Sequence, residues 1–181
     1  MKDMTASGLR SAFGGESQAH IRYRVYANKA ERDGFKNVAR LFTAISFAEW
    51  VHAQNHFRTM RDVGGDFAVT SMAGFGLAST SDNLQVAING EAFEVNEMYP
   101  AYRAVAELQE EKRAHQTFDW ALKSEMTHAA LYQKAKESVD AGQDPELDVI
   151  QVCDVCGHTL EGDAPEICPV CNAKNRYVAY K

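Results

Sequence analysis

No cysteine precedes Cys153, and all four cysteines fall between residues 153 and 171. That crowding argues against a disulfide framework and for a metal site in a reducing compartment. Long hydrophobic runs are also missing. None approaches membrane-spanning length, and the opening MKDMTASGLRSAF lacks the apolar core of a signal peptide. A cytoplasmic location, away from the membrane, is the expectation. Positive charge is in deficit, with 19 Lys and Arg against 25 Asp and Glu, for a net charge of −6. This balance argues against nucleic acid or an anionic membrane as the main partner. It suits cation binding, because clustered carboxylates repel one another unless a cation lies between them. The 181 residues, 45% hydrophobic and 24% charged, have a globular composition and suffice for one ordinary domain plus a small appendix.

Four long helical patterns are visible. The first, about Ser7 to Ala30, aligns Leu9, Phe13, Glu16, His20, Tyr23 and Ala27. The second, about Lys36 to Asp62, aligns Val38, Phe42, Ile45, Glu49, His52 and His56. The third follows STSDN, a stretch rich in helix-capping residues, and aligns Leu84, Ile88, Glu91, Val95, Met98, Tyr102 and Val105. The fourth, about Glu110 to Ala141, aligns Phe118, Leu122, Glu125, Ala129 and Tyr132, with Gly142 as its stop. Two links are short, and the one from Val63 to about Thr80 is long enough to cross the bundle. The expected fold is therefore mainly α, a ferritin-like four-helix bundle with one long crossover. Pro100 is expected to bend the third helix. After the polar linker DAGQDPEL, the segments DVIQVC and RYVAY read as short strands. Residues 1–145 thus form the bundle, and 146–181 form a small β/knuckle domain.

Each helix aims a carboxylate inward. AEWVH and SEMTH carry Glu49-x-x-His52 and Glu125-x-x-His128, and three residues turn a helix to about 60° short of a full circle, so each pair shares a face. Glu16 and Glu91 come from the other two stripes. One Glu from each of two helices plus Glu-x-x-His from the other two is the pattern of a dinuclear carboxylate centre. A single inward Glu reads more simply as a surface residue that falls on the stripe; four of them, two with His at one offset, do not. Isolated charges in a dry interior would each cost several kcal/mol, roughly, and two divalent ions neutralise them. Glu94 is surplus to the minimal set yet spaced to reach the metals. Glu97 has rotated into solvent. His20 and His56 lack a Glu at the three-residue offset and read as supporting or packing residues. Tyr23, two turns after Glu16, suits a hydrogen bond to a ligand carboxylate or simple core packing.

Cys153-x-x-Cys156 and Cys168-x-x-Cys171 are two knuckles that bind one tetrahedral metal. Gly157 and Asn172 follow them and suit turns with a left-handed residue. Spacing does not separate iron from zinc; a neighbouring centre that needs electrons favours iron, with zinc possible.

GESQAHIRY, AEWVH, GEAFEVNEMYP, SEMTH and the closing CDVCG…CPVC together resemble the rubrerythrin family over essentially the whole chain. The resemblance implies a non-haem diiron peroxidase that reduces hydrogen peroxide to water in oxidative-stress defence. It implies Glu16, Glu49, His52, Glu91, Glu94, Glu125 and His128 as iron ligands, with Glu94 and His52 exchanging on one iron as the redox state changes. Tyr23 and Tyr99 match tyrosines near the family's site and, with Glu94, are the candidate catalytic residues. Electrons would arrive through a rubredoxin-type iron on Cys153, Cys156, Cys168 and Cys171, fed by an NAD(P)H-dependent reductase. Asn172 stands where free rubredoxins commonly have Gly, which bears on the iron potential. The bundle helices are some ~35 Å long, so a small domain hanging from one end would lie far from the centre. The head-to-tail homodimer that the resemblance implies would bring a partner's domain near. Two rivals are a ferroxidase that handles iron in the same bundle, and an interaction module with structural zinc.

Overall fold

The computed structural model describes residues 1–181. Five α-helices come first: α1 (Asp3–Asp33), α2 (Lys36–Thr59), α3 (Thr80–Phe93), α4 (Tyr99–Leu108) and α5 (Lys112–Asp140). Strands β1 (Ile150–Cys153), β2 (Thr159–Glu161) and β3 (Tyr177–Tyr180) follow. α3 and α4 are two halves of one rod, so the architecture is a four-helix bundle with a small C-terminal sheet. No helix is long and apolar enough to cross a membrane.

Local chemistry sets the helix ends. Gly34 takes a left-handed conformation, φ 92°, and its N–H closes α1 on the carbonyls of Ala30 and Glu31. Ser79 caps α3 by accepting the Asp82 N–H. Thr80 donates to Asp33 at 2.7 Å, and Ser81 hydrogen-bonds Asp140. α3 therefore starts at the end of the bundle where α1 and α5 finish. The irregular segment 63–79 runs the length of the bundle, as the single long crossover.

The third rod departs from a simple stripe. Pro100 has no N–H, and the turn ahead of it, Glu94–Met98, opens into a π-helix in which the Tyr99 N–H bonds Glu94 oxygen. One extra residue in that turn moves the inward register forward by one. Leu84 and Glu91 are buried as the periodicity predicts, but below the π-turn Tyr99 and Ala106 are enclosed, while Met98 and Val105 are only half-buried.

The bundle core divides into two apolar clusters with the carboxylates between them. On α1, Glu16 lies between Ala12 of the lower cluster and Ala19 of the upper. Glu49 likewise separates Ala48 from Met60, Glu91 separates Ala87 from Tyr99, and Glu125 separates Ala121 from Tyr132. Tyr23, Phe42 and Tyr132 pack on one another above the site; Tyr99 and Phe118 pack below it.

The small domain does not hang from the end of the bundle. Its antiparallel sheet has the order β2-β1-β3, and Ile150 and Val152 of β1 enter the upper core cluster beside Leu41, Ala44 and Ala48. Two contacts fold the linker back. Asp144 caps α2 by accepting the Asn37 N–H at 2.9 Å, and Arg40 donates to the carbonyls of Leu147, Asp148 and Tyr180 at 2.7–3.1 Å. The chain then descends along α2, where Asn55 donates to Val155 oxygen at 2.8 Å, and the cysteines settle against Trp120 of α5.

Candidate metal centre

Six of the seven carboxylate and histidine residues singled out in the sequence converge. Ligand atoms of Glu16, Glu49, His52 and Glu125 lie within 4.8 Å of one another, as do those of Glu49, Glu91, Glu125 and His128. Glu49 and Glu125 belong to both groups, so two ions held by these groups would share them. All six side chains are essentially inaccessible to solvent. Glu94 joins neither group. It sits on the π-turn, half-buried, at the edge of a cleft of about 320 Å³ whose walls include Arg22, Met72, Val86 and Phe93.

Two tyrosines hold the outer carboxylates. Tyr23 donates to Glu91 Oε1 at 2.6 Å, and Tyr99 donates to Glu16 Oε1. A hydroxyl has one proton, so Tyr99 accepts from His56 Nε2 at 3.1 Å, and His56 Nδ1 accepts from Thr117 at 3.2 Å. His56 is thus a supporting residue behind Tyr99. His20 points elsewhere, its Nδ1 lying 2.7 Å from Ser46 oxygen. Thr117 carries no ligand-like spacing, and only the fold reveals its part in this chain.

The electrostatics are those of charges forced together. Burial, then repulsion from Glu94, Glu125 and Glu49, pushes Glu16 well above the usual carboxylate range. Burial, then Glu49 and Glu125, does the same to Glu91. Glu94 is driven upward by burial and then by Glu125 and Glu91, though its partial exposure moderates the push. Burial alone would raise Glu49, but the flanking His128 and His52 overcome it and bring it down to about 2. Burial would likewise depress His128, yet Glu125 and Glu49 lift it to about 9. His52 is raised in the same way, Glu125 opposing its burial most strongly.

The donor set fits two cations. Glu16 Oε2, Glu49 Oε1, Glu91 Oε2 and both oxygens of Glu125 are buried without hydrogen-bond partners. His128 Nε2 lies 2.9 Å from Thr159 Oγ1, whose own proton goes to Gly157 oxygen. His128 therefore donates from Nε2, and in the neutral ring Nδ1 turns a lone pair toward Glu125 Oε2, 2.6 Å away. A lone pair facing carboxylate oxygens is repulsive unless a cation receives both. His52 Nδ1 stands 2.9 Å from Glu125 and 3.0 Å from Glu49.

A pH prediction follows for the metal-free protein. The raised His128 contributes stability that is present below its ordinary value of 6.5 and lost as pH rises through about 9. The raised Glu16 and Glu91 act in the same direction, since the fold favours their neutral forms. Depressed Glu49 contributes stability above about 4.5 that is lost toward about 2. Chelated protein should therefore melt roughly 5–10 °C lower at pH 9.5 than at pH 6.5, with the decline largely abolished once metal is bound. Scanning calorimetry of both forms checks it, and parallel profiles would contradict it.

The cysteines form the second site. Their sulfurs lie within 4.8 Å of one another, with Cys153 to Cys171 at 3.7 Å and Cys156 to Cys168 at 3.6 Å. A disulfide needs about 2.05 Å, whereas a tetrahedral metal with 2.3 Å bonds sets sulfurs about 3.8 Å apart. Gly157 and Asn172 both take left-handed conformations, φ 82° and 61°, immediately after the second Cys of each knuckle.

Taken together, the two sites define a class: ferritin-like dinuclear carboxylate bundles that carry a rubredoxin-like four-cysteine domain. The family model for rubrerythrin matches residues 8–136, and that for the rubrerythrin rubredoxin-like domain matches residues 151–177. The chain is 44% identical to rubrerythrin-2 of Clostridium acetobutylicum over 94% of its own length and 93% of that protein's. It is 31% identical to nigerythrin of Nitratidesulfovibrio vulgaris, covering 97% and 86% of the two chains. The fully reduced, all-ferrous nigerythrin structure superposes with a TM-score of 0.85. The chain belongs to the rubrerythrin family. Its carboxylate–histidine cluster is the family's diiron site, and its knuckle pair is the rubredoxin-like site.

Proposed function

We propose that the protein is a peroxidase that reduces hydrogen peroxide to water, with Glu16, Glu49, His52, Glu91, Glu94, Glu125 and His128 as its iron ligands. The observation that carries the reading is the pair of ligand groups sharing Glu49 and Glu125, opened to solvent at Glu94. Two ferrous ions held by these residues would supply the two electrons that cleavage of the O–O bond consumes. Two protons complete the conversion of one peroxide to two waters.

The chain's own residues account for the rest. Glu94, raised toward its neutral form at the cleft, is placed to give a proton to the departing oxygen. Exchange between Glu94 and His52 is supported by an asymmetry of the two imidazoles. His128 is held at its outer nitrogen by Thr159, whereas His52 Nε2 has no hydrogen-bond partner to hold it in place. Tyr23 and Tyr99 fix Glu91 and Glu16 in orientation. Tyr23→Phe should keep the fold and weaken binding of the ion held by Glu91 by about 10–100-fold; a competitive metal titration checks it, and unchanged affinity removes Tyr23 from this role.

Iron held by Cys153, Cys156, Cys168 and Cys171 would supply one-electron chemistry, with an NAD(P)H-dependent reductase as the electron source, for a homodimer acting in the cytoplasm. Anaerobically reduced protein mixed with peroxide tests the reading. Consumption of one peroxide per reduced diiron centre supports it. Slow consumption with rapid oxidation of added ferrous iron by oxygen would instead favour a ferroxidase.

A further inference from the structure

The cleft that ends at Glu94 is larger than hydrogen peroxide requires. A peroxide takes the room of about two waters, on the order of 60 Å³ at ~30 Å³ each, against a cleft of about 320 Å³. Its length comes from α3, where Val86, Asn89, Gly90 and Phe93 form one stripe leading to Glu94, a run of ~12 Å at 1.5 Å per residue. The crossover supplies the facing wall. A Cβ on Gly74 would meet Val86 Cγ1 at 2.4 Å, so the crossover backbone lies directly on α3 there. Met72 and Phe93 expose apolar surface at the rim. Gly90 leaves a gap, since a Cβ on it would touch only Arg22 Nη2, at 3.7 Å. Polar groups are few. Arg22 is the cleft's one cation. Its Nη1 donates to Gln18 and to Gly74 oxygen, while Nη2 lies beside Gly90 with no protein acceptor, one helical turn from Glu94.

Apolar walls beside a free donor and a carboxyl are the complement of a molecule with a hydrocarbon body and an –OOH head. We propose that this cleft binds organic hydroperoxides, with the alkyl or aryl group on Met72, Val86 and Phe93, the –OOH between Arg22 and Glu94, and Gly90 as the residue that keeps the space open. The site rests on the peroxidase reading above and widens its substrate class. One turnover breaks the O–O bond, makes two O–H bonds and releases one alcohol and one water. It consumes two protons, one from Glu94 and one from solvent, and the two electrons are those of the ferrous pair, as for hydrogen peroxide.

Cumene hydroperoxide and its unreactive product, cumyl alcohol, test it on the full-length, iron-loaded protein. Reduced protein should consume one cumene hydroperoxide per diiron centre, and calorimetric titration of oxidised protein with cumyl alcohol should show one site. Gly90→Leu fills the gap, and leucine favours a helix over glycine, so the fold has no reason to fail. It should weaken cumyl alcohol binding about 10-fold or more, and lower kcat/KM for cumene hydroperoxide about 10-fold further than for hydrogen peroxide. Gly90→Ala adds a methyl that only touches Arg22 and should fall between wild type and Gly90→Leu. Circular dichroism and the spectrum of the cysteine site report that both variants are folded. Unchanged alcohol affinity in Gly90→Leu overturns the site. Wild-type protein that consumes hydrogen peroxide but not cumene hydroperoxide overturns the widened substrate class and leaves the peroxidase reading standing. Protein that binds cumyl alcohol yet consumes neither peroxide sinks the peroxidase reading, and the hydroperoxide activity with it.

Discussion

Glu125→Gln is expected to empty the diiron site while leaving the helices folded and the cysteine site able to bind its iron. Glu125 belongs to both ligand groups and is the nearest carboxylate to both histidines, at 2.9 Å from His52 and 2.6 Å from His128. Gln keeps the shape and removes the charge, so packing against Ala121 and Tyr132 has no reason to fail. Each cation loses an anionic donor at once, and the remaining neutral amide offers a weak ligand in a dry interior. Iron should fall from about three per chain to about one, and peroxide turnover by more than ~100-fold. Glu16→Gln provides the graded comparison. Glu16 belongs to one group alone, so the site built from Glu49, Glu91, Glu125 and His128 should retain its ion. Metal analysis and circular dichroism of the two variants read the difference; two full diiron occupancies would contradict the bridging assignment.

Glu94→Ala should behave in the opposite way, loading its metals but turning over slowly. Glu94 stands outside both ligand groups in this structure, on the rim of the cleft, so its removal leaves each group intact. What is lost is the carboxyl positioned for proton donation and for exchange with His52. Peroxide consumption is expected to fall about 100-fold or more, with iron content and the spectrum of the cysteine site unchanged. Stopped-flow measurement of the reduced protein decides it, and wild-type turnover would remove Glu94 from the mechanism.

The contrast between these variants tracks what was legible in the chain. Glu16, Glu49, Glu91 and Glu125 could be read because a straight helix repeats with a fixed period, and three of the four rods keep that period. The third rod does not. Pro100 signalled a bend, but a missing N–H is met equally by a kink or a widened turn, and the actual π-turn shifts the inward position from Met98 to Tyr99. Glu94 stands at the head of that turn, outside the ligand groups and at the cleft, which spacing from Glu91 alone could not show. The position of the small domain was hidden for a different reason. It depends on Asp144 meeting the start of α2 and Arg40 reaching three carbonyls, contacts separated by more than a hundred residues. Thr159 lies in a three-residue strand without any metal-ligand pattern, so its bond to His128 has no trace in the local sequence.

Diffraction at the iron absorption edge, on protein loaded anaerobically with ferrous salt, tests the central claim most directly. The account predicts two anomalous peaks enclosed by Glu16, Glu49, His52, Glu91, Glu125 and His128, and a third among the four sulfurs. Strong density at the cysteines with only solvent between the carboxylates would contradict it.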